Sequence, residues 1–120
     1  FVIDFDSTFT KVEAFDLLAE ITLADHPERE KLAASIKEIT DQGMNGSLSF
    51  RESLEQRIGI LQPTRKQLQQ LVLALRDKVS ESFKRNKDFL LAHAEYIYII
   101  SNGFHAFIDP IVTEFGIKPE

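Results

Sequence analysis

The stretch that decides the fold is Phe1-Val2-Ile3-Asp4-Phe5-Asp6-Ser7-Thr8, an apolar run that ends in two carboxylates and then two hydroxyls. The apolar residues predict a buried strand. In an extended segment the side chains at i and i+2 point the same way, so we expect Asp4 and Asp6 to leave the strand side by side. Two anions this close repel each other unless a cation or a shared proton lies between them. The pattern is therefore typical of phosphoryl-transfer chemistry.

A calcium-binding loop is one alternative for two aspartates at this spacing. Such a loop needs an entering helix, Gly at its sixth position and Glu at its twelfth. Here a strand-like run enters, and those two positions are Phe9 and Phe15. The calcium interpretation is therefore excluded, and a chance acidic turn remains as the alternative to a catalytic motif.

Composition restricts the class of protein. The 120 residues are 43% hydrophobic, which is enough for one domain, or part of one, with a real core. The net charge is −5 and no basic run is present, so we expect no nucleic-acid partner. No stretch approaches the ~18 apolar residues of a membrane span, so we expect no membrane partner. Cys is absent, which excludes disulfides and thiolate metal sites. A cytoplasmic location is the default expectation.

Apolar periodicity and cap residues predict the order strand, helical insert, strand, helix. Two capping-box patterns, at Ser49 and Thr64, mark helix starts, and Gly116 marks a helix end. A second buried parallel strand is predicted at 96–100, where β-branched and aromatic residues are concentrated. The predicted helices are 12–21, 27–45, one from 49 onward, 64–75, 82–94 and 104–115.

Chemically active residues follow both predicted strands. Asp4 and Asp6 come after the first strand, and Ser101 comes after the second. Because ligands of parallel sheets bind beyond the carboxyl ends of the strands, we expect these three side chains at one edge of the sheet.

The first motif resembles motif I, D-x-D-x-T, of the haloacid dehalogenase superfamily of phosphatases, and Asp-Phe-Asp-Ser-Thr is most similar to its phosphoserine phosphatase branch. The resemblance implies that Asp4 is the nucleophile, which forms an aspartyl-phosphate, and that Asp6 is the general acid and base. It implies Mg²⁺ as the cofactor, with Asp4 and Asp6 as metal-binding residues. It also implies phosphate contacts from Ser7 and Thr8.

Residues 100–104, Ile-Ser-Asn-Gly-Phe, resemble the family's motif II, in which a hydroxyl at the end of the second strand binds a phosphate oxygen. The resemblance implies that Ser101, Asn102 and Gly103 contact the phosphate. The branch usually has Ser-Gly-Gly-Phe, so Asn102 departs from the pattern and leaves a different small phosphate open as the substrate. A helix-capping Ser beside a turn is the structural alternative.

The helical insert carries further resemblance. Glu13 follows motif I at the spacing of the family's residue for the substrate ammonium group, and 44–57 is similar to its cap segment, M-x-G-x-[LI]-x-F-x-x-[SA]-[LV]-x-x-R. The resemblance implies that Met44 and Phe50 line the substrate cavity and that Arg57 binds the substrate carboxylate, which suits a planar guanidinium. Each of these residues taken alone is better explained as an ordinary core or surface position, and only their joint spacing favours the functional interpretation.

The resemblance implies an α/β fold. Residues 1–10 and 81–120 would be parts of a doubly wound parallel-sheet (Rossmann-like) core, and 11–80 a helical cap inserted after the first strand. We expect the family's downstream elements, a phosphate-binding Lys and a final acidic motif, to lie beyond this chain. The chain would then be the N-terminal portion of a phosphatase domain and inactive by itself.

The predicted function is Mg²⁺-dependent hydrolysis of O-phosphoserine, as in serine biosynthesis, or of a similar small phosphorylated metabolite. A small phosphorylated substrate is then the partner, and fusion to a further domain is left open. The alternative is a non-catalytic ligand-sensing or regulatory module derived from such a phosphatase.

Overall fold

The structure is a computed structural model that describes residues 1–119; residue 120, the last of the predicted core range 81–120, lies outside the described residues. Strand β1 (Val2–Asp4) and strand β2 (Tyr98–Ile100) pair in parallel, with Ile3 opposite Ile99. The helices are α1 (Ala14–Leu23), α2 (Arg29–Met44), α3 (Phe50–Leu61), α4 (Arg65–Arg76), α5 (Glu81–Arg85), α6 (Lys87–Ala92) and α7 (His105–Val112). Over residues 1–119, none of the helices is both long and apolar enough to cross a membrane.

The two strands are short and covered on one face. Ile3 and Ile99 pack against the core, whereas Val2, Tyr98 and Ile100 are 68%, 54% and 62% exposed. The prediction of buried strands is therefore wrong for the described part of the chain, where side chains alternate between a packed face and an exposed face. The second strand is also shorter than predicted and begins at Tyr98, because Tyr96 belongs to a 3-10 turn, Ala94–Tyr96, that ends just before it.

Cap residues determine where the helices of the insert begin. The Ser49 and Thr64 hydroxyls each accept a hydrogen bond of 3.1 Å from a backbone N–H three residues later. In return, the side chains of Glu52 and Gln67 accept hydrogen bonds of 2.9 Å from the backbone N–H groups of Ser49 and Thr64. Both predicted capping boxes, which begin α3 and α4, are confirmed. Such reciprocal contacts satisfy two of the N–H groups that a helix start leaves unpaired.

The prediction of a single helix over 82–94 is wrong, because the chain forms two helices, α5 and α6, with a break at Asn86. This residue has φ −104° and ψ 23°, and its side-chain amide donates a hydrogen bond of 2.7 Å to the Ser82 carbonyl. Asn side chains compete in this way with the helical backbone pattern. Farther on, α7 tightens to a 3-10 turn, Thr113–Phe115, and ends at Gly116 with φ 79°, as predicted.

Aromatic rings form the centre of the core. Phe5 and Phe9 are fully buried, with ring centroids 6.0 Å apart, and Phe9 also meets Phe115 edge to face at 5.0 Å. Aromatic pairs prefer such geometries. Helix α4 packs against both α1 and α7, and Ile3 and Ile99 of the strands pack against the same core, so the helical insert and the sheet share it.

Two chain segments, 8–11 and 78–80, join helices α1 to α4 to the rest of the molecule and run antiparallel to each other. Thr10 and Val79 form an isolated bridge, and backbone hydrogen bonds of 2.7 and 2.8 Å flank it. The Ser80 hydroxyl adds a bond of 2.6 Å to the carbonyl of residue 8. We call this pair of segments the crossing. The division into core and cap stays a prediction.

Candidate active site

Asp4 and Asp6 stand at the carboxyl end of β1, where the sequence predicted them. Both residues have extended backbone, with φ −72° and ψ 149° at Asp4 and φ −68° and ψ 135° at Asp6. One oxygen of Asp4 accepts a hydrogen bond of 2.9 Å from the Phe5 N–H. Both carboxylates line the same cavity.

Burial and neighbouring charges act on Asp6. Burial is the largest influence and raises its pKa above the ordinary value. A hydrogen bond of 2.7 Å from the Ala14 N–H, at the start of α1, opposes this rise. The charges of Glu13 and Asp4 raise the pKa further, and the Ser101 hydroxyl lowers it. The net effect is a raised pKa, so Asp6 releases its proton less readily than an ordinary aspartate does.

Ser7 turns the chain away from the strand. Its φ of 55° and ψ of 14° lie in the left-handed region, which residues other than Gly seldom occupy. Its N–H donates a hydrogen bond of 3.1 Å to the Val12 carbonyl, and its hydroxyl donates to the Glu13 carboxylate. The predicted phosphate contact of Ser7 stays a prediction, since this hydroxyl is bonded to Glu13 in the structure.

The cavity has a volume of about 270 Å³ and lies between the ends of the strands and helices α1, α3 and α7. The predicted site residues that line it are Asp4, Asp6, Glu13, Phe50, Arg57, Asn102 and Gly103. Residues from motif I, motif II and the insert therefore meet in one place, although they are up to 99 positions apart in the chain.

Other predicted site residues do not line this cavity. Met44 is 85% exposed at the end of α2. Thr8 is exposed in the turn after β1. Ser101 lines a neighbouring groove of about 760 Å³ along β2 and α7, and its hydroxyl accepts a hydrogen bond of 2.9 Å from the Gly103 N–H. Ser101 nevertheless lies close enough to Asp6 to affect its pKa.

Arg57 is the cation of the cavity. It is half-buried, its Nε donates a hydrogen bond of 3.2 Å to the Ser53 carbonyl, and its guanidinium carbon lies 4.6 Å from the centre of the Phe15 ring. Burial lowers the pKa of Arg57, and the charge of Asp16 opposes this effect. Among residues 1–119, Arg57 forms no salt bridge with a carboxylate.

Sequence reasoning missed several apolar residues of the cavity, namely Phe15, Leu54, Phe104 and Phe107. Leu54 carries a signal that the sequence contains, because Phe50, Leu54 and Arg57 follow the spacing i, i+4, i+7 of one helix face. Phe15 carries no such signal, since its place depends on how α1 packs against α3.

The donors present fit the Mg²⁺ that the resemblance implies. Mg²⁺ takes oxygen ligands and is usually held by one or two carboxylates together with phosphate oxygens and water. Asp4 and Asp6 supply carboxylate oxygens, and the repulsion that raises the pKa of Asp6 is the kind a cation relieves. No group of three or more His, Asp or Glu side chains in residues 1–119 is arranged to hold a metal ion.

Comparison with known proteins finds several similar chains, although no family model matches. A phosphoserine phosphatase of Drosophila melanogaster is 30% identical over 95% of this chain and 39% of its own length. One from Streptococcus thermophilus is 30% identical over 97% of this chain and 50% of its own length. The crystal structure of a phosphoserine phosphohydrolase-like protein from Francisella tularensis matches with a TM-score of 0.73 and 28% identity, over 97% of this chain and 53% of that one.

The fold places the chain among α/β proteins that carry a helical insert after the first strand. Over nearly its whole length the chain resembles the phosphoserine phosphatase-like branch of the haloacid dehalogenase superfamily. The resemblance carried by the motifs and the predicted fold class are thereby confirmed. The chain spans about half the length, or less, of the curated relatives it matches.

Proposed function

We propose that the full-length protein that carries this chain hydrolyses small phosphate monoesters, with O-phosphoserine as the first candidate substrate. One observation carries the proposal: the paired carboxylates of Asp4 and Asp6 line the same cavity as Glu13 and Arg57. A nucleophile and a proton donor on one side, and one anion and one cation on the other, match the functional groups of a phosphorylated amino acid.

In the first step a carboxylate oxygen of Asp4 attacks phosphorus, and the bond between phosphorus and the ester oxygen breaks. Asp6 gives its proton to the departing oxygen, which leaves as the serine hydroxyl. The product on the protein is an aspartyl-phosphate at Asp4. The raised pKa of Asp6 supports the role of proton donor, because an upward shift moves a carboxyl group toward the working pH, where general acids are most effective.

In the second step water attacks the phosphorus of the aspartyl-phosphate. Asp6, now ionised, takes a proton from this water, and the bond between phosphorus and Asp4 breaks. Inorganic phosphate leaves and both carboxylates return to their initial states. The geometry supports this division of roles, because Asp4 ends the strand while Asp6 is turned toward the start of α1.

Asp4 and Asp6 are the residues that would hold Mg²⁺, which when bound supplies the positive charge that phosphoryl transfer needs around the transferring group. This cofactor assignment rests on the chemistry of the two carboxylates and on the family resemblance.

Substrate selection is assigned to the residues of the insert. Arg57 has no carboxylate partner among the described residues and suits a substrate carboxylate, whose two oxygens match its planar fork. Glu13, held by Ser7, suits an ammonium group. Asn102 lines the same cavity and departs from the family pattern, so a similar small phosphate is the second candidate substrate. Formation of serine would place the protein in serine biosynthesis, and a cytoplasmic location stays a prediction.

The test is phosphate release from O-phosphoserine by the full-length protein and by its Asp4→Asn variant, with and without Mg²⁺. We expect release by the wild type only, because an amide neither attacks phosphorus nor binds Mg²⁺ well. Asp25→Asn, an exposed aspartate away from the cavity, is the matched control and should keep full activity. A wild type that binds O-phosphoserine without turnover would overturn the proposal in favour of a regulatory module.

A further inference from the structure

Phe15 lies beside Arg57 in the cavity, although it matches none of the family motifs. The two residues come from α1 and α3, and the guanidinium carbon of Arg57 is 4.6 Å from the centre of the Phe15 ring. This distance is well within the range of a cation–π contact. Both side chains line the cavity, so the contact belongs to the site and not to the surface.

Arg57 is held at two places. Its Nε donates a hydrogen bond of 3.2 Å to the Ser53 carbonyl, one turn back on α3, and its guanidinium carbon lies over the Phe15 ring. No other hydrogen bond or salt bridge joins its side chain to residues 1–119. The two terminal nitrogens are therefore the edge left for a bidentate contact with a carboxylate.

A carboxylate that could compete with the substrate for Arg57 lies close by. Asp16 follows Phe15 directly on α1, and its charge acts on Arg57 without forming a salt bridge. Burial raises the pKa of Asp16, the charge of Glu13 raises it further and that of Arg57 lowers it. A long Arg side chain has many rotamers, and one that is not held in place is free to swing toward such a neighbour.

We propose that Phe15 is a positioning residue that holds Arg57 toward the cavity and away from Asp16, and so favours phosphate esters that carry a carboxylate. The inference rests on the proposed function. It predicts that the aromatic face at residue 15 affects binding of the carboxylate end of the substrate and leaves the chemistry at phosphorus unchanged.

The kinetic test uses Phe15→Leu and Phe15→Tyr in the full-length protein, with O-phosphoserine and 4-nitrophenyl phosphate as substrates. Leu keeps the apolar bulk without an aromatic face, whereas Tyr keeps the face. We expect Phe15→Leu to raise KM for O-phosphoserine about tenfold, in the range of a partly desolvated cation–π contact, with kcat and the aryl phosphate KM little changed. Phe15→Tyr should restore the wild-type KM. Phe89→Leu, an exposed Phe outside the cavity, is the control for loss of a ring.

A second readout is independent of activity. A proton near an aromatic face experiences a ring-current shift, so the Nε–H signal of Arg57 in the nitrogen–proton spectrum should move in Phe15→Leu and stay in place in Phe15→Tyr. An unmoved Arg57 signal, or an equal KM increase for both substrates in an active protein, overturns the inference and leaves the proposed function standing. A wild type that hydrolyses neither ester overturns the proposed function, and the inference with it.

Discussion

The hydroxyl of Ser7 donates a hydrogen bond to the carboxylate of Glu13, and this contact ties the turn after β1 to the beginning of α1. Ser7 has left-handed backbone with φ 55°, and its N–H donates to the Val12 carbonyl at 3.1 Å. Non-Gly residues in this region store strain, and such strain is concentrated at functional sites. The position of Glu13 in the cavity therefore depends on a turn that the backbone alone would not favour.

The strain at Ser7 gives the first prediction. Ser7→Val should lower the free energy of unfolding by about 1–3 kcal/mol, because a β-branched side chain fits poorly at positive φ. Ser7→Gly, which accepts this backbone conformation, is the matched control and should unfold close to the wild type despite losing the bond to Glu13. Chemical denaturation measures both. Equal stability of the Val and Gly variants would show that the turn relaxes.

The raised pKa of Asp6 gives a prediction on pH. Because the folded state favours the protonated form, ionisation of Asp6 destabilises the fold at neutral pH, and this cost disappears below its ordinary pKa of 3.8. Asp6→Asn should therefore raise Tm at pH 7 without divalent cations, by about 2–4 °C after allowance for solvent screening of a half-exposed group. The gain should vanish near pH 3, where wild-type Asp6 is neutral in both states.

The same variant should lose most of its activity, since general acid and base catalysis typically contributes about 10²–10⁴-fold in rate. Parallel assays of phosphate release and thermal unfolding over pH measure both effects. A variant that is more stable yet fully active would remove Asp6 from the proposed chemistry, and a variant with lower Tm at neutral pH would contradict the direction of the pKa shift.

Helices α2 and α3 approach closely at Gly43. A Cβ at this position would lie 2.8 Å from the Ser53 Oγ and 2.9 Å from its Cβ, and Ser53 is itself buried and bonded to the Ile39 carbonyl at 3.0 Å. Gly43→Ala should therefore destabilise the protein by about 1–3 kcal/mol through overpacking, despite the better helix propensity of Ala.

Gly59 on α3 is the matched control for Gly43, because a Cβ there meets no atom within 4 Å. Gly59→Ala should stabilise the protein by about 0.5–1 kcal/mol through helix propensity. Urea denaturation of the two variants compares the same chemical change in a tight and an open place. If both variants were more stable than the wild type, α2 and α3 would have to separate at Gly43 to admit the methyl group.

The crossing gives a further prediction. Ser80→Ala removes the 2.6 Å bond from the Ser80 hydroxyl to the Thr8 carbonyl and should cost about 0.5–1.5 kcal/mol of stability. Ser35→Ala is the control, because its hydroxyl only bonds a carbonyl of its own helix at 3.1 Å and should be near neutral. Thermal unfolding of both variants tests whether the crossing contributes to stability.

Local chemistry explains which parts of the fold were predictable. Ser49 and Thr64 begin helices because their side chains bond nearby N–H groups, and Gly116 ends one because it accepts positive φ. These contacts lie within a few residues and are visible in the sequence. Strand burial was mispredicted because it depends on what packs against each face, and the break at Asn86 because a single side-chain contact outweighed helical periodicity.

The residues of the candidate site were likewise predictable only where local sequence determines their position. Asp4 and Asp6 were predictable because their spacing along an extended chain brings them together. The Phe15 ring beneath Arg57 was not, because it joins two helices whose relative placement no local pattern encodes. Met44 shows that a motif position alone does not place a residue in the cavity. The resemblance associates Met44 with the substrate, but its side chain is exposed at the end of α2 and does not line the cavity.

The crossing has a consequence for how such a protein changes over evolutionary time. The chain enters and leaves the α1 to α4 segment at one point, where the two connecting segments are bonded to each other. Because the two ends of this stretch are fixed to each other, a change in helix length within it reaches the strand end that carries Asp4 mainly through the packing of α1 and α4 on the core. Arg57 lies within this stretch, whereas Asp4 and Asp6 precede it, so the proposed substrate contacts can change during evolution while the proposed reacting carboxylates stay as they are.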